Sequence, residues 1–279
     1  VLALSQVLRE AGDRVRLVCG EDSGPVERAV SINDANLLPV NAARRFVWFH
    51  NEVEVWRETR RGRLPALLRY RPDAVFVGAE QARLASRLLP LGRRTVIPHG
   101  LSPHILAAEP ANTPPAPHGV FTSQAYRGLR ETLAMWRHLV APAVAEARFS
   151  AFIAPRDVAA FPAGPGIEIR ARVPNDAMPA LLRGARVWVA PGHPSETFCM
   201  AAAEAVAMGV PVVTLGAGAL RERVRHGVDG FICADMAEMA ARTIEILTDD
   251  ALWQQLHAAG LAARRGQGWA EIARLWRAL

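Results

Sequence analysis

The sequence contains no lysine; all 33 of its basic side chains other than histidine are arginine. It has three cysteines, Cys19, Cys199 and Cys233, set too far apart for metal-ligand spacing or a disulfide framework. A structural zinc site is therefore excluded, and the three read as reduced core or near-site thiols of a cytosolic protein. No apolar run approaches the ~20 residues of a membrane span, and the first residues lack the form of a secretory signal, so a cytoplasmic location is expected. Only 6% of residues are aromatic. No basic repeat is interleaved with them and no nucleic-acid motif is present, so a nucleic-acid partner is not expected despite a net charge of +6. No carboxylate cluster suits Mg²⁺, and neither a metal nor a cofactor is expected.

What is present is ample material for a core. At 279 residues, 51% hydrophobic and 22% charged, the chain suits two modest domains or one large one. The arginines are dense between Arg44 and Arg94. That density reads first as a solvated basic face. It also makes peripheral contact with an acidic membrane surface an expectation to carry forward.

In chain order, Val1, Leu4, Val7 and Leu8 recur at helical spacing up to Gly12. Residues 14–19 then alternate like a strand, and 21–39 are polar and turn-rich. Arg45 to Asn51 reads as a buried strand with His50 at its carboxyl end, and Ala74–Val77 and Thr95–Ile97 as further strands. Pro110, Pro114, Pro115 and Pro117 make 107–119 a stiff interdomain linker between a first domain, 1–106, and a second, 120–279. Past it come strand Val120–Thr122, the turn that carries Arg127-Gly128, strands at 149–154 and 167–173, and a helix at 178–183. In the tail, Trp269 and Trp276 stand seven apart on one helix face, which reads as packing against the other domain.

The stretch Val187 to Thr214 organises the rest. A β-branched run ends in Pro191-Gly192-His193-Pro194-Ser195, an alanine-rich helix former follows up to Gly209, and Val210-Pro211-Val212-Val213 begins a second run. This is a strand, helix, parallel strand unit. Its helix starts just past the carboxyl end of a strand, where open α/β sheets take ligands, and Ser195 or Thr197 is expected to cap it. Its first-turn N–H groups form an anion site. Glu196 and Glu204 are eight positions apart. At ~100° per residue that places them within about 80° of each other on a helix, able to address one ligand.

The whole block, "APGHPSE" through "EAVAMGVPVVT", resembles the nucleotide-sugar signature of retaining GT-B glycosyltransferases of family four, glycosyl transferases group 1. The resemblance implies an α/β chain of two Rossmann-type domains facing a cleft. The first would be truncated, since nothing before Val1 supplies the usual opening strand. It also implies that Glu196 contacts the donor sugar, that the backbone of Thr197, Phe198, Cys199 and Met200 holds the diphosphate, and that Glu204 binds the ribose. Thr197 and Cys199 stand where the family has glycine. Arg127-Gly128 matches a Lys-Gly or Arg-Gly pair whose cation reaches the diphosphate; Thr122 and Ser123 stand where a second arginine is frequent. Arg172 and Val173 match the turn beside the base, and His50 the histidine that faces the donor. Gly216-Ala217-Gly218 resembles the sugar-side loop.

The implied reaction transfers a sugar from a nucleotide diphosphate donor to a hydroxyl acceptor, glycan, lipid-linked or small, with retention and without a metal. His50, Arg127 and Glu196 are the expected catalytic residues, and cell-surface glycan or glycolipid synthesis the expected setting. Two alternatives reuse the same pocket: nucleotide-sugar epimerisation, and non-catalytic nucleotide-sugar binding.

Overall fold

The structure is a computed structural model that describes residues 1–18, 24–38 and 41–279. Within it the chain forms two compact units, Val1–Gly100 with Trp269–Leu279, and Leu101–Gly268. Each is built on a parallel sheet.

The first unit opens with α1 (Leu2–Glu10). The strand expected over 14–19 is not formed by the described residues 14–18, and Cys19 lies outside the described residues. The first strand falls instead in the stretch read as turn-rich: β1 (Val26–Ile32) pairs with β2 (Ala42–Phe49), placing Val30 opposite Phe46 and Ile32 opposite Trp48. Polar residues hid it. Arg28 and Ser31 sit among the apolar positions of β1, and only one face of that edge strand needs to be apolar. Helices α2 (Val55–Arg60) and α3 (Leu64–Tyr70) lead to β3 (Asp73–Phe76), and α4 (Ala79–Leu84) to β4 (Arg94–Val96). The strand order is β1-β2-β3-β4, all parallel.

The carboxyl half of β2, Phe46 to Phe49, is buried on both faces. Val47 and Phe49 pack with Leu67, Phe76, Ala85 and Leu89. Phe46 and Trp48 meet the opposite layer, where Trp276 lies 5.2 Å from Trp48.

The second unit begins with α5 (Pro103–Ala107) and β5 (His118–Phe121). Next come α6 (Leu129–Met135), α7 (Ala141–Ala143), β6 (Arg148–Ile153), β7 (Ile167–Ala171) and α8 (Met178–Arg183). Then follow β8 (Val187–Val189), α9 (Met200–Ala207), β9 (Val212–Thr214), α10 (Leu220–Arg223) and β10 (Gly230–Ile232). Helices α11 (Met236–Thr248) and α12 (Asp250–Ala263) close the unit. Its six parallel strands lie in the order β10-β9-β8-β5-β6-β7. Of the central strands, β8 is apolar and buried throughout and β9 is buried throughout, as strands covered on both faces tend to be.

The division between units differs from the one that composition implied. The proline-rich segment at 107–119 belongs to the second unit, not between the two. Arg186, only 5% exposed, anchors it by donating from Nη1 to the Pro115 carbonyl at 3.1 Å while Nε donates to the Ile246 carbonyl at 2.8 Å. Arg264 does the same for the segment's start, donating to the carbonyls of Ile105, Leu106 and Ala108. A buried guanidinium must be satisfied, and backbone carbonyls of an irregular segment satisfy it. The tail, expected with the second domain, is α13 (Trp269–Arg277) of the first unit. Its two tryptophans pack against Trp48, as their spacing implies.

Candidate functional site

The second sheet has one point at which strand order reverses. From β5 the chain builds β6 and β7 to one side; β8 then returns to the other side of β5, and β9 and β10 continue outward. The crossovers from β5 and β8 thus leave in opposite directions, opening a crevice beyond their carboxyl ends. The turn after β5 carries Tyr126-Arg127-Gly128 and the turn after β8 carries His193 to Cys199. Trp188 Nε1 donates to Thr122 Oγ1 at 2.9 Å and ties the two strand ends together.

Arg127 and Glu196 meet in this crevice, Nη1 to Oε1 at 2.8 Å. Glu196 is buried, and burial pushes its carboxyl above the ordinary range; Arg127, the Cys199 thiol, His193 and the Ser123 hydroxyl pull it back. Arg127 Nε is itself buried and has no hydrogen-bond partner among the described residues. The side chain as a whole is 24% exposed, and a pre-oriented, partly open guanidinium is what a phosphate oxygen requires.

Helix α9 starts later than expected. Its N-cap is Cys199, at φ 60° and ψ 73°, and its first turn contains no acidic residue. Ser195 is engaged elsewhere: its Oγ lies 2.7 Å from His193 Nδ1. Glu196 precedes the helix, in a turn closed by its own N–H on the His193 carbonyl at 3.0 Å, so the helical arithmetic linking it to Glu204 does not apply. The left-handed backbone at Cys199 explains why glycine suits this position, since a side chain there costs ~1–2 kcal/mol. Thr197 has no such φ, so no glycine is required at that position. Burial pushes the Cys199 thiol up, with Glu196 adding to the shift, which makes it a packing group rather than a nucleophile.

Glu204 lies in the second turn of α9, half-buried. Its carboxyl has no hydrogen-bond or ion-pair partner among the described residues, and burial pushes its pKa up to about 7. A desolvated, unpaired carboxylate is costly unless a ligand's hydroxyls meet it.

The loop after β9 braces the site from the other side. Ala219 N–H donates to the Glu196 carbonyl at 2.9 Å. Gly218, at φ 58°, packs so tightly that a Cβ would stand 2.7 Å from the His193 carbonyl oxygen. The Gly-x-Gly of the sequence therefore supports the Glu196 turn directly. Arg223, on α10, holds its guanidinium over the Phe198 ring at 4.5 Å. Tyr126 and Arg223 carried no motif in the sequence, and Ser123 and His193 lay inside the quoted stretches without a role of their own.

Of the remaining expected site residues, two lie elsewhere in the second unit and one belongs to the first. Arg172 and Val173 follow β7 at the edge of the sheet, two strands from β5, with the Arg172 side chain exposed. His50 belongs to the first unit, packed edge-on to Trp48 at 4.4 Å and to His99 at 4.7 Å. Its backbone N–H donates to Asn33 Oδ1 at 2.7 Å. Burial, and then the positive N-terminus, lower its pKa to about 4, so the ring is neutral at pH 7. Among the described residues, no group of three or more His, Cys, Asp or Glu could hold a metal ion, and no helix is long and apolar enough to cross a membrane.

Residues 119–249, all within the second unit, match the family model described as glycosyl transferases group 1. Phosphatidyl-myo-inositol mannosyltransferase of Mycobacterium leprae is 32% identical over 109 residues, which cover 38% of this chain and 29% of that protein. D-inositol 3-phosphate glycosyltransferase of Frankia alni is 41% identical over 95 residues, 33% of this chain and 23% of the relative. Among solved structures, S. aureus TarM in a complex that includes UDP superposes with a TM-score of 0.68 at 12% identity, over 86% of this chain and 51% of that one. The chain thus spans about half the length of TarM and less than a third of either curated relative is aligned. Its two parallel-sheet α/β units have the GT-B fold, and the match to the glycosyl transferases group 1 model lies wholly within the second.

Proposed function

We propose that this chain binds a nucleoside diphosphate sugar in its second unit and transfers the sugar to a hydroxyl acceptor with retention of configuration. The observation that carries this reading is the Arg127–Glu196 pair at the strand-order reversal, beside the N-terminus of α9. Arg127 Nη1 is held by Glu196, and the side chain is 24% exposed, so the oriented guanidinium can meet a phosphate oxygen from its open side. The free amides of the first turn of α9 take the other oxygens. Charge that builds on the departing diphosphate meets donors already oriented, and such preorganisation is commonly the largest part of catalysis. Glu204 accepts the ribose hydroxyls, and Glu196 a hydroxyl of the transferred sugar. Arg127 and the helix amides supply the neutralising charge without a metal, so turnover is expected to survive EDTA.

UDP is the first probe, because the TarM complex contains it. Titration with UDP, GDP and ADP, followed by product analysis with the matching sugar nucleotide and an acceptor panel, tests the reading. Transfer to an acceptor, with the anomeric configuration kept, is expected. An altered sugar nucleotide formed without acceptor would mean epimerisation, and binding without any turnover a non-catalytic role. The basic surface of the first unit supports a peripheral role at an anionic surface: Trp56, on α2, and Leu88, in the turn after α4, are 56% and 87% exposed amid arginines. Co-sedimentation with phosphatidylserine vesicles, weakened by salt, checks it.

A further inference from the structure

Two side chains beside the anion site remain unused. Tyr126 is 62% exposed, yet its ring is not loose: the His193 ring meets it edge-on at 5.4 Å and the Arg127 guanidinium lies 5.5 Å from its centroid. His193 is fixed in turn. Its carbonyl closes the Glu196 turn at 3.0 Å, Gly218 packs against that carbonyl, and its Nδ1 receives the Ser195 N–H at 3.1 Å and sits 2.7 Å from Ser195 Oγ. An Nδ1 that accepts from an N–H bears no proton, so in the neutral ring Nε2 carries it and is a donor.

The structure therefore presents an aromatic face, held from two sides and open to solvent, next to an oriented N–H donor. Both flank the Arg127–Glu196 pair, each within three residues of one of its members. A ring restrained in this way loses little freedom when something stacks on it.

We propose that Tyr126 and His193 form a wall for the transferred sugar: Tyr126 stacks against the C–H face of the hexose ring, and His193 Nε2 donates to one of its oxygens. This rests on the reading that a diphosphate lies at Arg127 and the start of α9. With the nucleoside directed along α9 to Glu204, the sugar is left on the side of the loop that precedes the helix, which carries His193. The wall contacts the sugar and not the nucleotide.

The test compares UDP with UDP-glucose, and GDP with GDP-mannose, by calorimetry on the whole chain as wild type, Y126A, Y126F and H193A. For whichever pair the wild type binds, Y126A and H193A should weaken the sugar nucleotide about three- to tenfold, the range of a single aromatic or hydrogen-bond contact. The free diphosphate should be unchanged, and Y126F, which keeps the ring face, should match wild type. Equal weakening of diphosphate and sugar nucleotide would make the pair a support for Arg127 and overturn the wall. Unchanged affinity for the sugar nucleotide would also overturn it. If the wild type binds no diphosphate at all, the donor-site reading fails first and takes the wall with it. Thermal melting of each variant separates lost contact from lost fold, and since Tyr126 is exposed, Y126A is expected to melt with wild type.

Discussion

Gly128 lies against Pro191 so closely that a Cβ on the glycine would stand 2.8 Å from the proline Cδ and Cγ. The contact joins the turn after β5 to the turn after β8, and it is what allows Arg127 to reach Glu196. Gly128 also has φ 99° as the N-cap of α6, so two independent constraints exclude a side chain. Gly128→Ala should therefore cost ~1–3 kcal/mol of stability and weaken diphosphate binding together. Thermal unfolding and calorimetry on the same sample check this; a variant that retains both would mean the two turns are held by other contacts.

Cys199 pays for its left-handed backbone with strain that a comparison of two variants can isolate. Cys199→Ala keeps the strain and loses the thiol contact with Glu196, whereas Cys199→Gly loses both. The glycine variant should be more stable than the alanine variant by about 1 kcal/mol, despite the usual entropic cost of glycine. Chemical denaturation measures the difference, and the reverse order would show that the position carries no strain.

Removing the cation should separate the two halves of the ligand. Arg127→Ala should reduce UDP affinity by tenfold or more, since a charge-assisted hydrogen bond is worth about 1.5–3 kcal/mol, and leave uridine affinity nearly unchanged. Equal losses for both ligands would assign Arg127 a structural role. The variant also leaves Glu196 buried without its main cation, so its carboxyl should rise further.

Glu204 makes two pH-dependent statements of known sign. Its folded pKa of about 7 lies above the unfolded carboxyl value, so the folded state holds the proton more tightly and stability falls as pH rises through the window from about 4.5 to 7. A ribose needs the ionised acceptor, so nucleoside affinity should rise over pH 6–8. Glu204→Gln should remove both trends, which melting curves and titrations at three pH values will read.

His50 predicts the opposite slope for the first unit. Its folded pKa of about 4 lies below the ordinary value, so stability is fully present above about pH 6.5 and is lost as pH falls towards 4. His50→Asn should flatten that acid limb. Hydrogen exchange at Val47 and Phe49 reports it residue by residue, and an unchanged limb would place the acid sensitivity elsewhere.

Much of the second unit was legible from the sequence because its signals are local. β-branched runs at 187–189 and 212–214, the glycine stop at 209 and the Arg127-Gly128 turn each depend on residues a few positions apart. Local chemistry also marked Glu196 and Glu204 as candidates. What it left undecided needed contacts between distant residues. β1 is a strand because β2 pairs with it, despite its polar residues, and the proline-rich segment belongs to the second unit because Arg186, some 70 positions later, binds its carbonyl. The start of α9 moved to Met200 because Ser195 is spent on His193 and the chain takes a left-handed step at Cys199. The neighbours of the ion pair, Tyr126 and His193, drew no role from the sequence, although His193 lies inside the signature block; strands β5 and β8 brought their turns together, and that adjacency exists only in the folded sheet.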